Sequence, residues 1–492
     1  VLANDTPNGA TITSFDATGS NGGTLNLNAD GSFTYTPALN FVGAETFNYT
    51  LTNNVGSSTA TVTLTSTGLG RFVDNSGANG TGTQASPFNN LQDALNAAQN
   101  GDTIYVARGD GNNTGVPGGF TLPAGVKLVG EGTGLILAQT IEPAGTAPVI
   151  SGPVTCLGNN VIQGFTIDGS TGNAVIIDGV PNVTIASNTF SDSDDRHIDC
   201  TDVTGTVTID NNVFADAPTN STDYINLDQE NSNATFAVTN NTFRNPTSAS
   251  MDTLVEIYSE GTSVLNATLS DNTALGTADD QFNYGFYWYH EGSAACSAIV
   301  NGNNMAEFDD TFDFYADSTG PLNLTFTENM IDSCGYPLYG EFSNSTWVVT
   351  GNVITDGEDE GIYVYNDGDG TITVTNNSVT NNDDIGFYYE TDDSDVDTKI
   401  ALRNNTFTTT GDNAIDILAE DSNSDVCCDI IGNTVNDDMR FNDNSSGVLT
   451  VERFGDATGS ELKTVNTFNN GATVTVPNDA VVDAIPGFCQ IP

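Results

Sequence analysis

Short runs of alternating apolar and polar residues dominate this chain, and they come in two kinds. In residues 1–66 the runs Thr24-Leu25-Asn26-Leu27, Ser32-Phe33-Thr34-Tyr35, Thr46-Phe47-Asn48-Tyr49 and Ala60-Thr61-Val62-Thr63 are separated by turns such as Asn28-Ala29-Asp30-Gly31. A two-residue period bounded by such turns predicts half-buried strands of a small antiparallel sandwich.

From residue 131 to 447 the runs recur with a long period. Asn stands at 160, 188, 212, 241, 272, 304, 329, 352, 377, 405 and 433, in steps of 23 to 32 residues. A repeat of that length with strand-like alternation inside it predicts one coil of a solenoid per repeat, with loops of varying length on one side. The Asn residues are predicted to stack at a turn and bond to their counterparts one coil away. The apolar residue after each turn (Phe190, Phe214, Phe243, Ile331, Ile354, Val379, Phe407, Val435) is predicted to point inward.

Each coil carries a second run about ten to fifteen residues after the Asn. Alternation places Ile198, Ile225, Ile257, Phe286, Phe312, Ile362, Phe387 and Ile415 inside. The intervening residues then form one outward stripe: His197, Asp199, Asn226, Glu256, Tyr258, Tyr287, Tyr289, Asp313, Tyr315, Tyr363, Tyr365, Tyr388, Glu390 and Asp416. Exposed Tyr beside carboxylates suits a sugar face or a protein interface; plain strand propensity would also place Tyr here.

Between sandwich and repeats, in 67–130, lies a helical pattern over residues 91–99, with Leu91, Ala94, Leu95 and Ala98 on one face. A helix ahead of the first coil strand would close the open end of a stacked β array. The last segment, 448–492, loses the repeat spacing and is predicted to cap the far end.

Two resemblances follow. The stretch from "VLANDT" to "STATVTLT" resembles the cadherin-like, immunoglobulin-like repeats of large bacterial surface proteins. In that family a further strand precedes the "VLANDT" element; its absence here implies a processed start and a free edge open to strand addition from another chain. The segment from "RFVDNSG" through "FTLPAGVKLVGEG" looks like the opening of right-handed parallel β-helices of secreted bacterial proteins, the pectate-lyase-like fold. The expected architecture is all-β: an immunoglobulin-like sandwich, then a right-handed parallel β-helix with a short capping helix.

Composition narrows the function. Ten Lys and Arg against 64 Asp and Glu give a net charge of -54, which repels nucleic acid and anionic membranes, favours divalent cations, and fits an extracellular or cell-surface location. No run approaches the length of a membrane span, so direct insertion is not expected. The seven Cys show no CxxC spacing and have only two His to assist them, which argues against zinc. Cys489, near the chain end, is placed to staple the cap or to reach another subunit.

Candidate chemistry is thin. The cluster Asp194, Asp195, Arg196, His197 and Asp199 offers paired carboxylates that could serve glycoside cleavage. It resembles polygalacturonases only superficially, because their Gly-His-Gly and Arg-Ile-Lys elements are missing. Calcium is the expected cofactor, at loops holding Asp356, Glu358, Asp367, Asp369, Asp393, Asp395 and Asp397. None of these is an EF-hand: Thr398 stands where Gly is needed and Asn404 where Glu is needed. The sequons at Asn220, Asn233 and Asn266 say little in so Asn- and Thr-rich a chain.

Three readings stay open at this point. The first is a self-associating segment of a surface fibre, sheath or layer with end-to-end contacts. The second is an adhesin that binds surface glycans through the outward stripe. The third is a polysaccharide lyase or hydrolase.

Overall fold

The computed structural model describes the chain except residues 3–4, 7, 37–42, 67–69, 112–118, 137–139, 170–171, 217, 219–222, 245–252, 277–281, 317–318, 392–395, 421–423, 444–447, 454, 456–458, 477–481, 485, 487 and 490–492. Asn220, Asp393 and Asp395 therefore lie outside the described residues.

The N-terminal unit is a small antiparallel sandwich. Strands β1 (Thr11–Phe15), β4 (Gly43–Thr52) and β5 (Ser57–Ser66) form one sheet in the order β1-β4-β5, and β2 (Thr24–Leu27) pairs with β3 (Phe33–Thr36). Alternation does the sorting: Leu25, Leu27, Phe47 and Tyr49 face one small core while their neighbours meet water. Glu45 is also fully buried, and it is satisfied there by the Asn21 and Gly23 N–H groups and the Tyr35 hydroxyl at 2.7–2.9 Å. Among the described residues β1 and β5 each have a single neighbour and are the sheet edges.

The rest is a parallel solenoid with three strands per coil. One row of 16 strands runs from Gly70–Val73 to Val482–Ala484. The other two rows share a 26-stranded sheet, because the long strand Asn304–Ala316 turns the corner between them. Helix α1 (Leu91–Ala97) follows the first strand of the 16-stranded row, Gly70–Val73, and does not precede it as the sequence suggests; it buries Leu91, Ala94 and Leu95 against the first coils, and the Asn90 side chain caps it by accepting from the Asp93 N–H at 2.8 Å. Val448–Glu452, Thr467–Phe468, Val474–Thr475 and Val482–Ala484 continue the three rows, so coil pairing extends into the C-terminal segment.

Inside, like residues stack on like. Phe190, Phe214 and Phe243 lie with ring centroids 5.0 and 4.7 Å apart, the offset a parallel coil repeat imposes. All eight apolar residues expected after the turns, and all eight assigned inward on the second run, are buried. At roughly 1.5–3 kcal/mol per buried large side chain, this column is the main source of stability.

The corner before the second row holds the Asn ladder. Asn188, Asn212, Asn241, Asn272, Asn303, Asn329, Asn352, Asn377, Asn405, Asn433 and Asn466 are all buried. Each Oδ1 from Asn212 onward accepts both the N–H and the Nδ2 of the Asn one coil earlier, at 2.8–3.2 Å. Each Nδ2 also reaches a carbonyl of the preceding strands, as Asn329 does to Val300 at 3.1 Å. The residue just before most of these Asn takes a positive φ, for instance Asn211 at 54° and Asn404 at 58°, and aims the next side chain inward. The ladder member in its coil is Asn303, not Asn304: Gly302 at φ 66° occupies the left-handed position, so the residue after it turns in. Asn160 stands outside the ladder, its Nδ2 donating to Pro123 and Val126 carbonyls.

Candidate functional site: the outer tyrosine and carboxylate face

Period two in the third row of strands generates two outward ladders side by side. Strand register aligns Asp199, Asn226, Glu256, Tyr287, Asp313, Tyr339, Tyr363, Tyr388, Asp416 and Arg440 in one column. Two residues further on, Asp228, Tyr258, Tyr289, Tyr315, Glu341, Tyr365, Glu390 and Leu418 form the second. Of the fourteen residues assigned to the stripe from sequence, thirteen (Asp199, Asn226, Glu256, Tyr258, Tyr287, Tyr289, Asp313, Tyr315, Tyr363, Tyr365, Tyr388, Glu390 and Asp416) stand in these columns, and His197 does not. Tyr339, Glu341 and Arg440 also belong there. Beside them a shorter register places Asp310 between Tyr284 and Tyr336.

The rings touch in one continuous series. Centroid distances are 6.2 Å for Tyr258–Tyr287, 5.7 Å for Tyr287–Tyr315, 5.4 Å for Tyr315–Tyr339, 5.0 Å for Tyr339–Tyr363 and 4.9 Å for Tyr363–Tyr388. None is face-to-face; the pairs are tilted or edge-on, as ring quadrupoles favour. The result is an apolar strip several coils long with hydroxyls along it.

Carboxylates find arginine partners at the ends of the face and none in its middle. At one end Arg196 donates to Asp223 at 3.0 Å, and Asp199 accepts from Asn173 and Asn226, both at 3.0 Å. At the other end Arg440 reaches Asp416 Oδ2 at 3.2 Å, although the buried Asp416 Oδ1 meets no partner, and Tyr363 and Tyr388 both donate to Glu390, at 3.0 and 2.9 Å. In the middle Asp313 is 4 % exposed and its Oδ1 meets no hydrogen-bond partner.

Desolvation with unpaired like charge raises an acid's pKa. Burial, then Asp310 and Glu341, push Asp313 to about 8. Burial, then Asp223, push Glu256 to about 7. Asp310 rises to about 6 through burial and Asp309, and Glu360 to about 7 chiefly through burial. At neutral pH Asp313 therefore keeps its proton for the most part, and Glu256 and Glu360 in part, which makes them hydrogen-bond donors as well as acceptors.

The cluster proposed for cleavage does not assemble. His197 is not on the outer face: its strand starts at Ile198, so the alternation that would turn it outward does not reach it. It is buried among Phe190, Phe214 and Tyr224, its Nε2–H donating to the Asp216 carbonyl at 2.8 Å and its Nδ1 accepting from Ser193 Oγ at 2.6 Å. Burial lowers its pKa to about 4, so it is a neutral core residue. Asp194 and Asp195 are exposed at the preceding turn, where their N–H groups bond to Gly169 and Gly172 carbonyls.

Among the described residues no three His, Cys, Asp or Glu side chains converge as a metal site. Asp356, Glu358 and Asp369 are exposed and Asp367 is half-buried; Asp369 Oδ1 accepts the Asp397 N–H at 2.9 Å across neighbouring coils. Cys489 is bonded to Cys427, tying the last described turn to the solenoid, and the other five Cys are buried free thiols.

Residues 1–65 match the family described as bacterial Ig domain, and residues 254–435 match the right handed beta helix region. The second match spans the middle of the outer face. No curated protein matches the chain. Among solved structures, the catalytic unit of a thermostable alpha-1,3-glucanase from Streptomyces thermodiastaticus is 14% identical, with a TM-score of 0.42, over 97% of this chain and 84% of that one. A family 28 exopolygalacturonase of Yersinia enterocolitica is 12% identical over 91% and 86%, with a TM-score of 0.29. The A-module of the mannuronan C-5 epimerase AlgE4 of Azotobacter vinelandii is 13% identical over 80% and 93%, also at 0.29. Likenesses this distant assign no activity to the chain.

Proposed function

A bacterial Ig domain followed by a right-handed β-helix is the frame on which function has to be placed, and we propose that this chain is an extracellular glycan-binding protein whose binding surface is the outer tyrosine and carboxylate face. The observation that carries this reading is the series of half-buried Tyr rings in contact across successive coils. Sugars present C–H faces that pack on aromatic rings and hydroxyls that bond to carboxyls and phenols. A linear glycan laid along the solenoid axis meets a ring or a carboxyl at every coil, about 4.8 Å apart.

The net charge of -54 keeps nucleic acid and anionic lipid away, and no helix among the described residues is long and apolar enough to cross a membrane. The test is a glycan array followed by calorimetry on the best ligand. Tyr287→Ala, Tyr363→Ala and Tyr365→Ala are each expected to weaken binding; unchanged affinity in all three would exclude the face. Analysis of the same mixtures for shortened chains separates a binder from a hydrolase, for which the raised acids would supply general acid catalysis.

A second reading, self-association into a surface fibre or layer, draws on the single-neighbour edges β1 and β5. Electron microscopy of the purified chain tests it: end-to-end filaments support it, and single particles at every concentration remove it.

A further inference from the structure

Resting on the glycan-binding reading, we propose that the face is built for glycans that carry free amino groups, with Asp313 as the carboxylate that receives the ammonium and Tyr287, Tyr315 and Tyr339 as the rings flanking it. Asp313 is buried and its Oδ1 has no partner. A native protein does not leave a buried carboxylate oxygen unpaired without cost.

The groups around it do not supply a counterion. Tyr287 faces Asp313 from the preceding coil and Tyr339 from the following one; Glu341 stands beside Tyr339, while Asp310 and Tyr315 share the Asp313 strand. None is a cation, and the chain contains no Lys or Arg between Arg244 and Lys399. The arginines that do serve this face, Arg196 and Arg440, are engaged at its two ends. The free protein compensates by keeping a proton on Asp313, which burial and the neighbouring Asp310 and Glu341 favour.

A protonated amine replaces that proton. The ligand R–NH3+ arrives charged, the Asp313 carboxyl releases its proton to solvent, and the two form a charge-assisted hydrogen bond. The phenol rings favour the same ligand, because an ammonium is attracted to an aromatic face and most strongly where water is excluded. A divalent metal fits less well: the rings flanking Asp313 are phenols, and although Asp310 and Glu341 lie near, no three metal-ligating side chains converge among the described residues. A uronate glycan would add a negative charge beside Asp310, Asp313 and Glu341. A neutral glycan would leave Asp313 as it is.

Calorimetry with four probes tests this near pH 6.5: a glucosamine hexamer, its fully N-acetylated counterpart, a galacturonate hexamer, and hexalysine as a polycation without sugar. The glucosamine hexamer is expected to bind about tenfold tighter than the N-acetylated one, and to release about one proton per site, read from heats in buffers of different ionisation enthalpy. Asp313→Asn is expected to abolish both the preference and the proton release. The proton release is read on the unmodified protein, so the proposal stands or falls even if the variant does not fold. Equal affinity for the two glucosamine-type hexamers, a preference for galacturonate, or hexalysine matching the glucosamine hexamer with no effect of Asp313→Asn would each overturn it. Binding of the N-acetylated hexamer without the amine preference sinks this inference alone, whereas no binding of any sugar sinks the glycan reading as well.

Discussion

Two kinds of ladder run along this solenoid, the Asn corner with one residue per coil and the outer face with two, and the same strand spacing repeats both. On the Asn ladder each coil from Asn188 to Asn466 contributes the same buried amide, and each amide's oxygen accepts from, and its nitrogen donates to, an adjacent coil. On the outer face the coils contribute Tyr, Asp and Glu in no fixed order, and the acids in the middle go without counterions. The same geometry has thus been used once to saturate hydrogen bonds and once to leave them open. Saturation does not need a ligand, whereas an open, proton-holding carboxyl beside contacting rings is stable only by compromise, and a ligand relieves it.

The sharpest way to break this contrast is through pH. Asp313 has its folded pKa raised from 3.8 to about 8, so the unfolded chain ionises first as pH rises. The stability it confers is complete below about pH 4 and is lost as pH climbs through 8. Asp313→Asn cannot ionise; it is expected to leave stability unchanged at pH 4 and to raise it by several kcal/mol, in order of magnitude, at pH 9. Urea denaturation at the two pH values reads this directly, and a parallel shift at both would mean that Asp313 is not a proton-holding group.

Next in size is the opposite ladder. Asn329→Ala deprives the Asn303 N–H of its side-chain acceptor, Asn303 Nδ2 of one of its two acceptors, and the Val300 carbonyl of the Asn329 Nδ2 donor, all in a buried corner. It is expected to destabilise the protein by about 3 kcal/mol with no change in glycan affinity. Loss of binding without loss of stability would reverse the roles assigned to the two ladders.

Much of this was legible in the sequence, because period two and the Asn spacing are direct prints of strand and coil geometry. The failures have local causes. Tyr339 and Glu341 were missed because the inward residue of their short strand is Gly340, not an apolar side chain: a Cβ there would overlap the Trp347 indole, whose bulk fills the space instead. No alternation remains to be read. Asn466 escaped because its step contains the helix Leu462–Val465, and Asp310 with Tyr284 and Tyr336 because they lie where the chain rounds a corner. His197 was placed outward because the alternation was carried one residue past the strand start. Raised pKa values were not legible at all, since they come from burial between coils.

On the face itself, Tyr287→Ala and Tyr363→Ala are each expected to weaken binding about tenfold, roughly 1.4 kcal/mol, with stability changed little by comparison with Asn329→Ala. Titration calorimetry beside thermal melts separates the two effects. Equal losses in both would make these rings packing residues and merge the two ladders into one structural device.

The smallest effect belongs to Glu390, where the face most nearly imitates the Asn ladder. Tyr363 and Tyr388 come from adjacent coils, and both donate to its Oε2. Burial first, then the Glu390 charge, holds both phenols well above their ordinary pKa of 10. Glu390→Gln keeps an acceptor in place but removes the charge, so it is expected to cost under about 1 kcal/mol. The phenol titration, followed by absorbance as pH rises, should begin earlier than in the unmodified protein, because burial then acts without the neighbouring anion. An unshifted titration would mean that burial alone sets these phenols, and that the face is as charge-indifferent at this end as the Asn corner is along its whole length.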